Sequence, residues 1–211
     1  MQGKSNLPEL KLKILIIGDS AVGKTSMLLK YVDDFFPEAH MATIGVEYKV
    51  KEIKTPKYKI NLNIWDPAGQ ERFKSITKSF FNNTNGVVFV YDITNKKSFE
   101  GAKNWIKDSE PYGKFQFLLC GNKLDLEKNR DVSIDALKEY GLKKKIPVFE
   151  TSAKTGANLN EVFKKLIDLI LKDRSDEEIV TEFGVKQGQN LSLGKKKTQK
   201  EGGGMANCCN K

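Results

Sequence analysis

Apolar positions follow two alternating rhythms from residue 10 to about residue 172. Short apolar runs occur at Ile14-Leu15-Ile16-Ile17, at Val87-Val88-Phe89-Val90-Tyr91, across residues 115–120, and at Ile146-Pro147-Val148-Phe149. Runs of this length bounded by turn residues read as strands buried on both faces, as a parallel sheet requires. Amphipathic helices lie between them. The clearest carries Leu159, Val162, Phe163, Leu166, Ile167 and Ile170 on one stripe, a near-complete helical repeat. Residues 43–53 and 57–66 are consecutive strands joined by Lys54-Thr55-Pro56, too short a link for a crossover helix. They must form an antiparallel hairpin at a sheet edge. The pattern predicts a doubly wound α/β fold: a mostly parallel six-stranded sheet, one antiparallel edge strand, and helices on both faces.

Residues 1–9 read as a flexible N-terminus and residues 10–174 as one folded domain. After Arg174 the apolar period stops. Residues 175–211 are polar and contain Gly202-Gly203-Gly204, a composition that cannot bury enough surface to offset ordering, so a disordered tail is expected. No apolar run approaches the roughly 20 residues that cross a bilayer. No signal-peptide stretch precedes Leu10, and a glycine at position 3 misses the myristoylation pattern. The expectation is a protein made and kept in the cytosol.

Composition changes this picture little. Hydrophobic residues make up 39% and charged residues 30%, enough for a core under an ordinary soluble surface. The formal charge of +9 raises the question of nucleic acid. Lysines dominate, however, without a zinc-finger, RRM or basic-zipper signature, so a solvated surface and a basic tail are expected and no nucleic-acid partner. Cys120 sits in an apolar run and reads as a small core residue. Cys208 and Cys209 are adjacent and offer no zinc or disulfide spacing.

The chemistry starts at Gly18-Asp19-Ser20-Ala21-Val22-Gly23-Lys24-Thr25, which fits the P-loop pattern and stands between a strand and a helix as that motif demands. Its glycines let the backbone fold into a nest of N–H groups, and the following helix adds its positive dipole end. Ser20, Ala21, Val22, Gly23, Lys24, Thr25 and Ser26 are the candidate phosphate contacts. Lys24 should reach the β- and γ-phosphates and Thr25 should ligate Mg²⁺. The motif alone says nucleoside triphosphate.

Asn122-Lys123-Leu124-Asp125 follows the strand ending at Cys120, at the carboxyl edge where α/β folds bind ligands. A carboxylate at Asp125 can accept from the ring N–H and the exocyclic amine of guanine. Adenine offers an acceptor instead, which would leave that carboxylate unpaired. Ser152-Ala153-Lys154 follows the next strand, and the Ala153 N–H could donate to the guanine carbonyl oxygen. An ATP-using P-loop enzyme is the competing class, and Asn122 to Asp125 argues against it.

These motifs, in this order, resemble the Rab family within the Ras superfamily of small GTPases, over about residues 10–172. Rab-like stretches are Thr43-Ile44-Gly45-Val46-Glu47-Tyr48, Arg72-Phe73-Lys74-Ser75-Ile76-Thr77 and Val90-Tyr91-Asp92-Ile93-Thr94. The resemblance implies slow, activator-stimulated GTP hydrolysis and a GTP/GDP switch that recruits effectors in vesicle-mediated transport. It implies that Thr43 completes Mg²⁺ coordination, Asp66 holds the metal through water, Gly69 meets the γ-phosphate, Gln70 orients the attacking water, and Phe36 packs on the guanine edge. It further implies an effector-binding triad of Tyr48, Trp65 and Phe80; burial of all three in the core is the alternative. An exchange factor, a GTPase-activating protein, a GDP-dissociation inhibitor and prenylation machinery are the partners it brings, and a monomer is expected.

The chain departs from the family at Pro67, where threonine is usual, and at His40, Tyr48 and Asn82. Proline fixes φ and removes a donor, silent if that N–H is unused and stiffening otherwise. A binding-only pseudo-GTPase is the reading that Pro67 keeps open. Finally, Cys208-Cys209-Asn210-Lys211 lacks the aliphatic residues of a CaaX box and looks like a double-cysteine prenylation site, with Lys195, Lys196, Lys197 and Lys200 upstream. It implies anchoring of the lipidated tail to the cytoplasmic face of intracellular membranes.

Overall fold

The computed structural model describes residues 7–38, 43, 45–67 and 79–185. Six strands form one sheet: β1 (Glu9–Ile17), β2 (Val46–Lys54), β3 (Lys59–Pro67), β4 (Gly86–Asp92), β5 (Gln116–Asn122) and β6 (Val148–Glu150), in the order β2-β3-β1-β4-β5-β6. All neighbours run parallel except β2 and β3, which pair antiparallel at the edge. The expected fold class is therefore the observed one. β2 begins at Val46 rather than residue 43, and β5 runs on to Asn122, which places that side chain on a strand end.

The alternation along β1 explains the two layers. Leu12, Ile14 and Ile16 face a core closed by α1 (Lys24–Asp33) through Met27, Leu28 and Tyr31. On the opposite face, Leu15 and Ile17 meet α2 (Lys96–Ser109) through Phe99, Ala102 and Ile106, and α3 (Ile134–Lys144) through Leu137. The stripe predicted from Leu159 to Ile170 forms α4 (Leu159–Leu171) over the first face, with all six residues buried. Asn95 starts α2 by accepting from the N–H groups of Lys97 and Ser98, which satisfies donors that a helix start leaves open.

Pro67 ends β3, opposite Val46 of β2. Thr55 N–H donates to the Tyr58 carbonyl (2.8 Å) at the hairpin turn, so hydrogen-bonded pairs alternate from there along the two strands. Val46 opposite Pro67 is then a non-hydrogen-bonded pair, and the proline costs no bond to β2.

The expectation of a disordered tail from residue 175 needs correction over its first turns. Residues Asp176–Phe183 form α5, opened by a capping box: Ser175 Oγ accepts from Glu178 N–H, and Glu178 Oε2 accepts from Ser175 N–H (2.7 Å). Ile179 and Phe183 are buried with Leu10, Tyr58 and Ile60. Gly184 bridges antiparallel to Leu10, and Val185 N–H donates to the Glu9 carbonyl (2.8 Å). Asp176 accepts from Tyr58 Oη (2.5 Å) and pairs with Lys57 (2.9 Å) at the hairpin turn. Two inward apolar residues four apart are too few to register as a period, and eight residues are too short to be helical alone. Docking makes this helix. Residues 186–211, with Cys208 and Cys209, lie outside the described residues. No helix among the described residues is long and apolar enough to cross a membrane.

Phe183→Ala should lower unfolding stability by about 3–5 kcal/mol, the range of aromatic-to-alanine cavities, read as a shift in urea midpoint at unchanged slope.

Candidate functional site

The P-loop sits between the end of β1 and the start of α1. Ala21 (φ 63°) and Gly23 (φ 93°) both occupy the left-handed region, which turns successive N–H groups into one concavity. Glycine is needed at Gly18 for a different reason: a Cβ there would lie 2.2 Å from the Val90 carbonyl oxygen. Lys24 is only 6% exposed, and its Nζ donates to the Asp19 carbonyl (2.9 Å). Burial lowers its pKa, while the charges of Asp66 and Asp19 oppose that shift. A buried ammonium partly unsatisfied by carboxylates is what a phosphate would complete.

Three of the predicted metal residues converge. Thr25 Oγ1 lies 2.6 Å from Thr43 Oγ1 and donates to Asp66 Oδ2. Asp66 is fully buried, and its other oxygen, Oδ1, has no partner among the described residues. Desolvation pushes its carboxyl up to about 6, against the pull of the Thr25 hydrogen bond and of Lys24. Two hydroxyls and a half-satisfied carboxylate make an all-oxygen donor set, the kind that suits a hard divalent cation retaining several waters, such as Mg²⁺.

At the other end, Asp125 Oδ1 accepts from Ser152 Oγ (2.6 Å), and the same hydroxyl accepts from Thr155 N–H (3.1 Å). Lys123 takes a left-handed backbone (φ 69°) and its Nζ pairs with Asp92 Oδ2 at 2.6 Å. Asp92 was not among the residues expected at the site. Its signal was a carboxylate ending the buried run from Val87 to Tyr91, at the same sheet edge as Asn122.

Asn122 links the two ends. Its Nδ2 donates to the Val22 carbonyl (2.9 Å), and its Oδ1 accepts from Ala153 N–H (3.0 Å) and from Thr151 Oγ1 (3.4 Å). The Ala153 N–H, expected to point at a guanine carbonyl, is instead held by this side chain. The reason is distance: with β5 running to Asn122, the carboxamide reaches the loop after β6 directly. Phe36 is half-buried against the core that contains Ala153. Ser20, Ala21 and Lys154 are exposed and Ser26 half-buried. Gly69, Gln70 and His40 lie outside the described residues.

Tyr48, Trp65 and Phe80 form one aromatic patch, with ring centroids 4.7 Å and 6.5 Å apart in succession. Tyr48 is 42% exposed and its hydroxyl donates to Asn63 Oδ1 (2.5 Å); Trp65 and Phe80 are half-buried. The patch adjoins the core yet opens to solvent at Tyr48, so burial of all three in the core does not hold.

Residues 13–172 match the model of the Ras family. Among curated proteins, the chain is 36% identical to the Ras-related protein SEC4 of Candida albicans over 214 aligned positions, 99% of this chain and all of the relative. It is 41% identical to the human Ras-related protein Rab-3A over 187 positions, 85% of this chain and 84% of the relative. The GTP-binding protein YPTM1 of Zea mays is 35% identical over 97% of this chain and 99% of that protein.

Replacing Asn122 with alanine should speed GDP release by about 10–100-fold, since 1–3 kcal/mol follows loss of a buried multi-bond strut. Dissociation of a fluorescent GDP measures it. For Asp66, the folded carboxyl titrates near 6 and the unfolded one near 3.8, so the folded state holds the extra proton between them. Stability of the metal-free and nucleotide-free protein should therefore fall as pH rises through that window. Asp66→Asn should abolish this decline, seen by comparing urea midpoints at both ends of the window.

Proposed function

The chain belongs to the Ras family of small GTPases, as a Rab-like member that binds and hydrolyses GTP, and from that premise we propose how its own residues run the switch. The convergence of Thr25, Thr43 and the half-satisfied Asp66 beside buried Lys24 supports this reading best. The P-loop nest receives the phosphates, Lys24 neutralises charge on them, and Thr25, Thr43 and Asp66 hold Mg²⁺. When bound, the metal supplies charge stabilisation for the γ-phosphoryl group. Gln70 aligns the attacking water and the Gly69 N–H meets the γ-phosphate, as the family resemblance implies. Asp125 sorts guanine from adenine, with Ser152 orienting its carboxylate.

Hydrolysis here is a matter of positioning. Arg130 is held by Glu150 and Arg174 by Glu182, so no arginine among the described residues is free to act as a finger. Slow turnover that rises with an activating partner follows. Loss of the γ-phosphate removes the ligand of Thr43 and Gly69, which converts hydrolysis into a change of surface. That surface includes Tyr48, Trp65 and Phe80, and effectors of vesicle transport read it. Exchange factors and activating proteins act on the same domain, and prenyl groups on Cys208 and Cys209 hold the tail to the cytoplasmic face of intracellular membranes. A GDP-dissociation inhibitor would return the protein to the cytosol.

GDP preloaded on the protein should be displaced by GTP and left in place by ATP at equal concentration; displacement by both would defeat the guanine assignment. Gln70→Leu should lower single-turnover hydrolysis by about tenfold or more without weakening GTP binding, as for a residue acting only in the transition state. Trp65→Ala should keep nucleotide affinity and lose effector capture, measured by pull-down with the GTP-loaded protein.

A further inference from the structure

The P-loop carries an acidic side chain one residue into the motif, and its charge has the wrong sign for a phosphate nest. Asp19 follows Gly18 directly, and its own carbonyl accepts from Lys24 Nζ (2.9 Å), so its backbone is part of the phosphate-facing loop. Its carboxylate, however, is turned toward α2. There Oδ1 accepts from the indole N–H of Trp105 at 2.9 Å. One turn earlier on the same helix face stands Gly101, where a Cβ would lie 2.0 Å from Asp19 Oδ2 and 2.7 Å from Cγ. One helix thus supplies a donor at residue 105 and an empty space at residue 101, the spacing that puts two side chains on the same face.

We propose that Trp105 and Gly101 are positioning residues that hold the Asp19 carboxylate out of the phosphate nest. The effect is electrostatic. A carboxylate free to swing toward the nest would stand against the phosphates in a partly desolvated loop, where repulsion is weakly screened. Held against Trp105, the same charge remains close enough to favour the ammonium form of Lys24 and is prevented from facing the phosphates. The indole is half-buried within the α2 face of the core, which fixes the donor in place. The inference rests on the reading above that a guanine nucleotide occupies this nest. It adds that the nucleotide's affinity depends on a contact outside it.

The test uses equilibrium binding of fluorescent GDP and of a slowly hydrolysed GTP analogue to the full chain. Trp105→Phe keeps the ring and removes only the N–H. It should weaken the triphosphate about tenfold and GDP about threefold or less, because the triphosphate carries the larger charge. Gly101→Ala should act in the same direction, since the methyl group displaces the carboxylate itself. It also serves if Trp105→Phe fails to fold. Adding Asp19→Asn to either variant should restore triphosphate affinity to within about twofold of the parent, because the charge is gone while an acceptor remains. A rescue of this kind is not expected if the two residues only support the fold. Unchanged binding in both single variants would overturn the proposal, as would a loss that is equal for both nucleotides and is not rescued by Asp19→Asn. A parent protein that takes up neither nucleotide would instead sink the nucleotide reading itself.

Discussion

The site depends on one carboxamide. Asn122 stands at the end of the central sheet and ties the carbonyl of Val22 in the P-loop to the N–H of Ala153 and the hydroxyl of Thr151 beyond β6. Three loops from three strand ends, distant in sequence, are fixed to one another through its amide plane. Gly23 records how tight the arrangement is, since a Cβ there would lie 2.4 Å from Asn122 Nδ2. The phosphate end and the base end of the cleft are therefore tied to one another, so a purine held at one end would have its phosphates placed at the other. This pre-organisation means that little ordering cost falls on the moment of binding.

Around that strut the charges are arranged for a ligand. Lys24 and Asp66 are both buried, and desolvation pushes each toward its neutral form, lowering the one pKa and raising the other. Among the described residues, Asp66 keeps an oxygen without a partner. These groups are unfavourable in isolation and would be satisfied by anionic phosphate and a cation respectively, so nucleotide and metal bound there would contribute to the stability of the domain itself. The same logic separates Lys123, which pairs with a carboxylate in Asp92, from Lys24, whose ammonium meets only the Asp19 carbonyl among the described residues.

Much of this was legible in the chain. The strand runs, the 3.6-residue stripe of α4 and the short hairpin link sufficed for the sheet, because each follows from burial on one or two faces. The P-loop and the Asn122–Asp125 motif announced themselves because phosphate and guanine impose close-range geometry on neighbouring residues. What escaped was long-range or sparse. Asp92 against Lys123, Ala153 against Asn122, and Asp19 against Trp105 join residues 31 or more apart, a pairing that no local pattern encodes. For α5 a local signal existed, since Ser175 and Glu178 have capping-box spacing, yet only Ile179 and Phe183 supply apolar area. The helix forms because Leu10, Tyr58 and Ile60 are there to receive them.

That late helix changes how the hairpin should be regarded. At its open end, β2 and β3 carry the residues around the phosphate site: Thr43 lies just before β2, and Asp66 lies near the end of β3. At its closed end, Lys57 and Tyr58 are fastened to Asp176 of α5. A nine-residue ladder with a buried face on β3 resists sliding, because a one-residue slip would turn Ile60, Leu62 and Ile64 out of the core. With both ends held and its register fixed, the hairpin is a frame and not a lever. The point where the chain leaves α5, at Val185, is hydrogen-bonded to Glu9 at the start of β1, on the same sheet as the hairpin.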